Sequence, residues 1–426
     1  MTKITDIISE NRQGKPRGIY AICSAHSLVI EAAIEQAKQD DTPVLIEATA
    51  NQVNQFGGYT GMKPADYLEF IGQIADNLDY PRENIIAGGD HLGPVCWVNE
   101  TAEQAMEKAR ELIKSYVAAG FKKIHLDTSM SCIDDPHSLA DSVVAIRAAD
   151  LCSVAESTAI KHFGKSDLVY VVGTEVPPPG GATEEIETLE LTTPSRVSQT
   201  LSIHQREFFK LDLNEAWERV IGLVVQPGVE FDHTSLIAYQ SEKSQALKSE
   251  ITRYDNIVYE AHSTDYQSAQ AYIELVQDHF AILKVGPQLT FAMREALFAL
   301  SYIEDELIIP EQRSFLRTIC EEVMMESPKN WEKFYQVPVS KGTLYRRYSY
   351  SDRIRYYWHL PRIKTAVAQL FKNLEATEIP LPLVSQFLPE QYNAIQNNTL
   401  VNSPKTLVKA KIKQVTERYA YACWKQ

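Results

Sequence analysis

The sequence lacks paired cysteines. Its six, Cys23, Cys96, Cys132, Cys152, Cys320 and Cys423, are scattered, and none stand in a C-x-x-C pair. That excludes a zinc ribbon or a thioredoxin-like redox motif. In a chain of 426 residues they read as reduced, mostly buried thiols of a cytosolic protein. Long apolar runs are missing as well, and nothing approaches the ~18 continuous apolar residues of a membrane span. The opening MTKITDIISENRQGKPRG has no apolar core and no cleavage site, so no secretory signal is expected and a cytoplasmic location is. Positive charge is in deficit. Against 42 Lys and Arg stand 56 Asp and Glu, a formal net charge of −14. Such a surface repels phosphate backbones and argues against nucleic-acid binding. A small phosphorylated ligand stays compatible, because one local basic group can hold it. No G-x-G-x-x-G follows the first strand-like run and no G-x-x-x-x-G-K-[ST] occurs, GGYTGMK at 57–63 included, which places a kinase last among the readings. No G-x-S-x-G elbow supports a Ser-His-Asp hydrolase.

What is present is apolar material for a sizeable core, at 44% of residues, and a repeated alternation of strand-like and helical runs. The strand-like runs are 18–24, 42–49, 84–91, 122–129, 168–175, 220–226, 256–263 and 281–287. Continuous apolar strands suit a parallel sheet covered on both faces. Eight such units predict an α/β fold, a (β/α)8 TIM barrel over residues 1–305, with an open α/β sheet as the alternative. Residues 306–426 show a mostly helical pattern without strand alternation and predict a helical C-terminal extension. The Pro-, Gly- and Glu-rich stretch GTEVPPPGGATEEIETLELTTPSR, after the fifth strand, reads either as a lid or partner contact or as a solvated loop.

Reactive groups of such a barrel sit at the carboxyl ends of the strands. The polar residues there are Ser24, His26, Glu47, Asn51, Asp90, His91, Asp127, Ser129, Glu175, Gln226, Glu260, His262 and Lys284. Any one of them reads as readily as a structural group. Together, carboxylates and histidines from different strands can converge on a divalent metal such as zinc. In that reading His91, Glu260 and His262 are the metal ligands, while Asp90 and Glu175 move protons beside a sugar carbonyl. The run GGDHLGP is the most specific element. Its glycines are expected to let the backbone turn tightly and to present Asp90 and His91 side by side. The competing account is a tight strand-to-helix turn with the Asp as a cap.

These residues also carry a resemblance. TPVLIEATANQVNQFGGYTGMKPADY, IIAGGDHLGPVCW, AAGFKKIHLDTSMSC and the EAHSTDYQ region resemble the non-catalytic Z subunits of bacterial D-tagatose-bisphosphate aldolase, formerly described as putative tagatose 6-phosphate kinases. The likeness runs over essentially the whole chain. It implies an accessory component, needed for activity and stability of a catalytic aldolase subunit, in galactitol or N-acetylgalactosamine catabolism. That family is similar in turn to zinc-dependent class II aldolases, whose H-x-D-H run is matched by Asp90 and His91. Elsewhere the class II pattern is broken. Gln226-Pro227 stands where A-H-G would supply a second zinc histidine. Glu260 replaces the histidine of H-G-x-S-G, and the glycines of that phosphate cradle are gone. The N-x-D-T phosphate segment reads VGPQ at 285–288. The resemblance therefore implies a partner subunit that does not cleave bisphosphate alone. The rival is a metal-dependent sugar-phosphate epimerase or isomerase built on the retained rim residues. A class I mechanism would need a buried Schiff-base lysine, for which Lys284 is the one strand-end candidate.

Overall fold

A computed structural model describes residues 3–176 and 189–426. Eight parallel strands close a barrel. They are β1 (Ile19–Ile22), β2 (Val44–Thr49), β3 (Ile85–Leu92), β4 (Lys123–Leu126), β5 (Val169–Val172), β6 (Val220–Val225), β7 (Val258–Ala261) and β8 (Phe280–Val285). Each pairs with its neighbours in chain order, and β1 closes on β8 with Ala21 opposite Lys284. The eight expected strands are thus all present, most of them shorter than their apolar runs. A small antiparallel hairpin, Glu230–Phe231 with Leu236–Ile237, was not foreseen.

Helices follow the strands where local chemistry starts them. Proline at the first turn opens Pro64–Asn77, Pro194–Lys210 and Pro287–Leu307, where its missing N–H costs nothing. Thr101 and Ser268 accept a backbone N–H at the starts of Ala102–Ala119 and Ala269–Gln277, satisfying donors the helix cannot. Gly120 and Gly164 end their helices at positive φ, which glycine adopts without strain.

The barrel interior is layered. At the amino-terminal ends of the strands, Ile4, Ile7 and Ile8 of the helix Ile4–Arg12 join Ile19, Val169, Ile221 and Val258 in an apolar cluster. The outer core, between strands and helices, continues without a break into the C-terminal region. There the helix Pro404–Trp424 packs between Ser27–Asp40 and Pro287–Leu307. The C-terminal region is helical, as expected, and it also reaches the carboxyl end of the barrel. Tyr350 N donates to His233 O at 2.9 Å, and Tyr266 Oη donates to Tyr350 O at 2.6 Å. Thr290 Oγ1 donates to the buried Asp352 at 2.6 Å. Residues 350–356 are latched onto the loops around β6, β7 and β8. Of the long insertion after β5, residues 177–188 lie outside the described residues, so a lid there is not addressed. No helix among the described residues is long and apolar enough to cross a membrane.

Candidate functional site

Above the apolar layer the interior becomes ionic. Glu47 of β2, Gly88 of β3 and Lys123 of β4 lie in register across three neighbouring strands. Gly88 has no side chain between them, and a Cβ built there would sit 2.7 Å from Glu47 Cγ. Glu47 and Lys123 therefore meet at 2.6 Å, and Lys123 also pairs with Glu260 at 2.7 Å. Lys284 bonds Glu47 and lies 2.8 Å from Asp90 and 3.7 Å from Glu260. None of these five residues is more than 5% exposed. The expected tight turn at GGDHLGP is corrected by this geometry. Gly88 and Gly89 are ordinary extended strand, and their lack of a side chain makes room for Glu47 and for Leu92 with Tyr116.

Adjacent strand residues normally point to opposite faces, so Asp90 and His91 would not share a site. A bulge resolves this. Between Gly89–Ile124 and Leu92–Leu126, two residues of β3 oppose one of β4. His91 takes φ 50° there, a left-handed conformation that a residue with a Cβ rarely adopts. Both side chains then enter the mouth. The ring of His91 lies 5.1 Å from His125 and 5.0 Å from His262, and the latter two are 5.3 Å apart. Three imidazoles from β3, β4 and the end of β7 thus form a triangle beside Asp90 and Glu260.

The hydrogen bonds orient these rings. His91 Nδ1 is 2.7 Å from Asp127, which Ser129 Oγ also bonds at 2.7 Å. His262 Nε2 is 2.9 Å from Glu260, and His125 Nδ1 is 2.9 Å from Asp90. Burial alone would raise Asp90, but His91, Lys284, His125 and His262 outweigh it and hold the carboxyl well below its ordinary range. Glu260 is lowered against burial by Lys123, Lys284 and His262. Asp127 is lowered to about 2, its burial overcome by His91. His91 is raised, because Asp90 and Asp127 overcome its burial. Burial brings His262 down to about 4 in spite of Glu260, so that ring is neutral at pH 7. Four carboxylates (Glu47, Asp90, Asp127, Glu260) face two ammonium groups (Lys123, Lys284), a formal −2 before any imidazole is protonated. A buried excess of negative charge is offset by a protonated imidazole, as at His91, or by a bound cation.

The residues present fit a divalent ion. Asp90, His125, Glu260 and His262 each offer one ligand atom, all within 4.8 Å of one another. His125 Nε2 is buried with no hydrogen-bond partner; when Nδ1 donates to Asp90, this nitrogen carries the lone pair and is free to act as a ligand. This set differs from the expected one. Glu260 and His262 are in it, His125 was overlooked, and His91 stands beside it with its ring held by Asp127. His91 is joined by His125 and His262, which come from positions outside the class II pattern.

The remaining rim residues divide. Glu47 and Lys284 belong to the ionic layer, and Asn51 lines the mouth. Ser24 and His26 lie aside, His26 capping the helix Ser27–Asp40 through Leu28 N at 3.3 Å. Gln226 spends its side chain on the Gly228 and Val229 amides. Glu175 does not join the centre. β5 ends at Val172, three residues earlier than the apolar run suggested, so Glu175 falls in the following loop and pairs with Arg196 at 3.0 Å. Sequence reasoning missed Lys123, His125, Asp265 and Arg355. Lys123 and His125 share the parity of Asp127 in KIHLD, and that signal could have found them.

Asp265 lies where barrels of this type often bind phosphate, at the loops after the seventh and eighth strands and a helix N-terminus. Its Oδ1 accepts from Gly286 N at 3.1 Å and Gln288 N at 2.8 Å. Burial raises it to about 6. The chain's own carboxylate fills that anion site.

Fold and site together define a (β/α)8-barrel protein with a buried carboxylate–imidazole–lysine centre at the carboxyl end of its strands. The comparisons narrow this class. Residues 4–424 match the model of the D-tagatose-1,6-bisphosphate aldolase subunit GatZ/KbaZ-like family, and the chain belongs to that family. It is similar to a probable tagatose 6-phosphate kinase from Sinorhizobium meliloti 1021, at 46% identity and TM-score 0.89, covering 96% of this chain and 100% of that one. Fructuronate-tagaturonate epimerase UxaE from Cohnella laeviribosi aligns at 11% identity and TM-score 0.49, covering 96% of this chain and 81% of that one. A likeness that faint carries no argument.

Proposed function

We propose that the chain is an accessory subunit of D-tagatose-1,6-bisphosphate aldolase, acting in the cytoplasm in tagatose 6-phosphate degradation, within galactitol or N-acetylgalactosamine catabolism. It would bind the catalytic subunit and raise its activity and lifetime. Stabilisation of that kind needs only preferential binding to the folded partner. The observation that carries this reading is the occupation of the Gly286 and Gln288 amides by Asp265. A bisphosphate needs an anion cradle at each end, and the cradle common to these barrels is already taken. Family membership points the same way. The test is turnover of tagatose 1,6-bisphosphate by the isolated, zinc-supplied chain and by the catalytic subunit with and without it. No cleavage alone, with higher activity and a longer half-life in the mixture, supports the reading. Cleavage by the chain alone, abolished by Asp90→Ala, overturns it.

A second reading rests on the partnerless His125 Nε2 among Asp90, Glu260 and His262, since a scaffold has no need of such a centre. In it the chain is a metal-dependent sugar-phosphate epimerase or isomerase. A divalent ion, when bound, supplies Lewis acidity toward a sugar carbonyl. Asp90 is ionised and is assigned the proton beside that carbonyl, the neighbours that keep it ionised also making it a weaker base. Lys123 and Lys284 hold Glu47 and Glu260 in place beneath it. Metal analysis of the purified chain checks this reading. Zinc or manganese at one per chain, lost in His125→Ala, supports it, and a metal-free parent after supplementation sinks it.

A further inference from the structure

The mouth of the barrel is not made by the barrel alone. The cavity that contains Asp90, His91 and His262 has about 80 Å³, and Arg355 and Tyr356 of the C-terminal region form part of its wall. A second cavity, of about 620 Å³, adjoins it between barrel and C-terminal region. Arg355, Tyr59 and Gln52 line both, so Arg355 stands at their junction. The turn that carries it is fixed. Tyr356 packs edge-on against Tyr59 of the loop after β2, with ring centroids 4.9 Å apart, and the buried Asp352 holds the other end on Thr290.

The partners of Arg355 are unusual in a chain so rich in acid. Nη1 donates to the carbonyls of Ser351 and Asp352, the latter at 3.3 Å, and Nη2 reaches Tyr356 Oη at 2.9 Å. Among the described residues no carboxylate lies within ion-pair distance of it, and Asp352 and Asp265 act on it only through space. The other cation lining the small cavity, Lys284, is committed to Glu47 and Asp90. Burial should push the Tyr356 phenol up, yet Arg355 and Arg353 hold it below its ordinary range, so the local potential is positive. The carboxyl of Asp265 lines the same cavity, but it is turned onto two backbone amides. A guanidinium with no carboxylate in direct contact, at the edge of a polar pocket, suits a planar or tetrahedral oxyanion.

We propose that Arg355 anchors the anionic terminal group, phosphate or carboxylate, of a sugar whose hydroxyl-bearing end lies toward Asp90, His91 and His262. The anion site that Asp265 fills in the barrel proper is thereby replaced by one from the C-terminal region, 93 positions after His262 in the chain (355 − 262). This rests on the second reading, that the pocket holds a sugar, and leaves the accessory reading untouched.

The test is calorimetric titration of the full chain with D-tagatose 6-phosphate, D-tagaturonate and uncharged D-tagatose, for the parent, Arg355→Gln and Arg355→Lys. Loss of a charged hydrogen-bond donor should weaken the anionic probe that fits by about 10- to 100-fold in Arg355→Gln. D-tagatose should stay within about twofold, and Arg355→Lys should fall between. Whichever anionic arm responds identifies phosphate or carboxylate. If Arg355→Gln is poorly folded by its thermal transition, the parent and Arg355→Lys decide. Parent affinity for the anionic probe should then drop as salt rises, with that for D-tagatose unmoved. The proposal is overturned if the parent binds D-tagatose as tightly as both anionic probes, or if the variants bind all three like the parent. Binding of no probe by the parent sinks the pocket reading and the proposal with it.

Discussion

At the foot of the barrel, Ile4, Ile7 and Ile8 cluster with Ile19, Val169, Ile221 and Val258. Higher in the same cylinder, Glu47, Lys123, Glu260 and Lys284 fill an equally dry space with charge. Both layers are close to fully buried. The lower layer stabilises simply by leaving water, at roughly 25 cal/mol per Å² of apolar surface. The upper layer offers no such gain, because desolvating ions costs several kcal/mol each and their attraction at best offsets it. A fold does not need the upper layer, so its presence marks that end of the barrel as the candidate site.

The comparison breaks most visibly when one charge is removed. Lys123→Met leaves Glu47 and Glu260 without their shared cation and should cost about 3–5 kcal/mol in urea unfolding. A loss below about 1 kcal/mol would mean that water reaches the layer. Adding Glu47→Gln to that variant should recover part of the loss, since fewer uncompensated charges remain. In the lower layer, Ile7→Ala removes a fully buried side chain and should cost about 3 kcal/mol. If the mouth binds zinc as the second reading has it, Ile7→Ala should leave that affinity unchanged, and an altered affinity would show that the layers are coupled. Gly88→Ala sharpens the boundary between them. Its Cβ would press on Glu47, which the two lysines hold in place, for about 2 kcal/mol of overpacking. Gly61→Ala, with nothing near its Cβ, offers a control for backbone strain alone.

The smallest effect concerns a carboxyl with a weaker ion pair than the layer's own. Asp352 is buried, 3.8 Å from Arg294, and burial raises it to about 6. The folded chain keeps this proton over a range where the unfolded chain, with a carboxyl near 4, has lost it. Its contribution to stability is therefore full below about pH 4 and is lost as pH rises through about 6. Asp352→Asn should match the parent in acid and exceed it by about 1 kcal/mol at pH 8, the loss of attraction to Arg294 taking back part of the gain. Thermal transitions of both chains across pH 4–8 check this. A constant difference across the range would place the titration elsewhere.

Much of the site was legible because strand ends and strand parity are local properties. Asp90, His91, Glu260 and His262 were placed on one rim from their positions at the ends of apolar runs, and the structure brings them together. Glu175 failed because the end of a strand is set by what packs on it. Here β5 ends at Val172, and Glu175 follows in the loop, paired with Arg196. Lys123 was passed over because a charged residue opening a strand looks solvent-exposed until its partners across the barrel are known. Arg355 has no local signal at all.

The order of strands and helices was determined by the sequence itself, through apolar periodicity, capping residues and prolines at helix starts. These act over a few residues and need no distant partner. The glycines of GGDHLGP were visible too, though what they make room for was not. Tertiary structure alone decided that Asp90 and His91 share a face, because that follows from a bulge in the pairing of β3 with β4. It also decided that two lysines could be buried, and that Asp265 rather than a ligand would occupy the anion site. Each of these is an electrostatic or steric match between groups tens to hundreds of residues apart. Such matches exist only once closure of the barrel has brought the charges within a few ångströms in a medium where they are strongly felt.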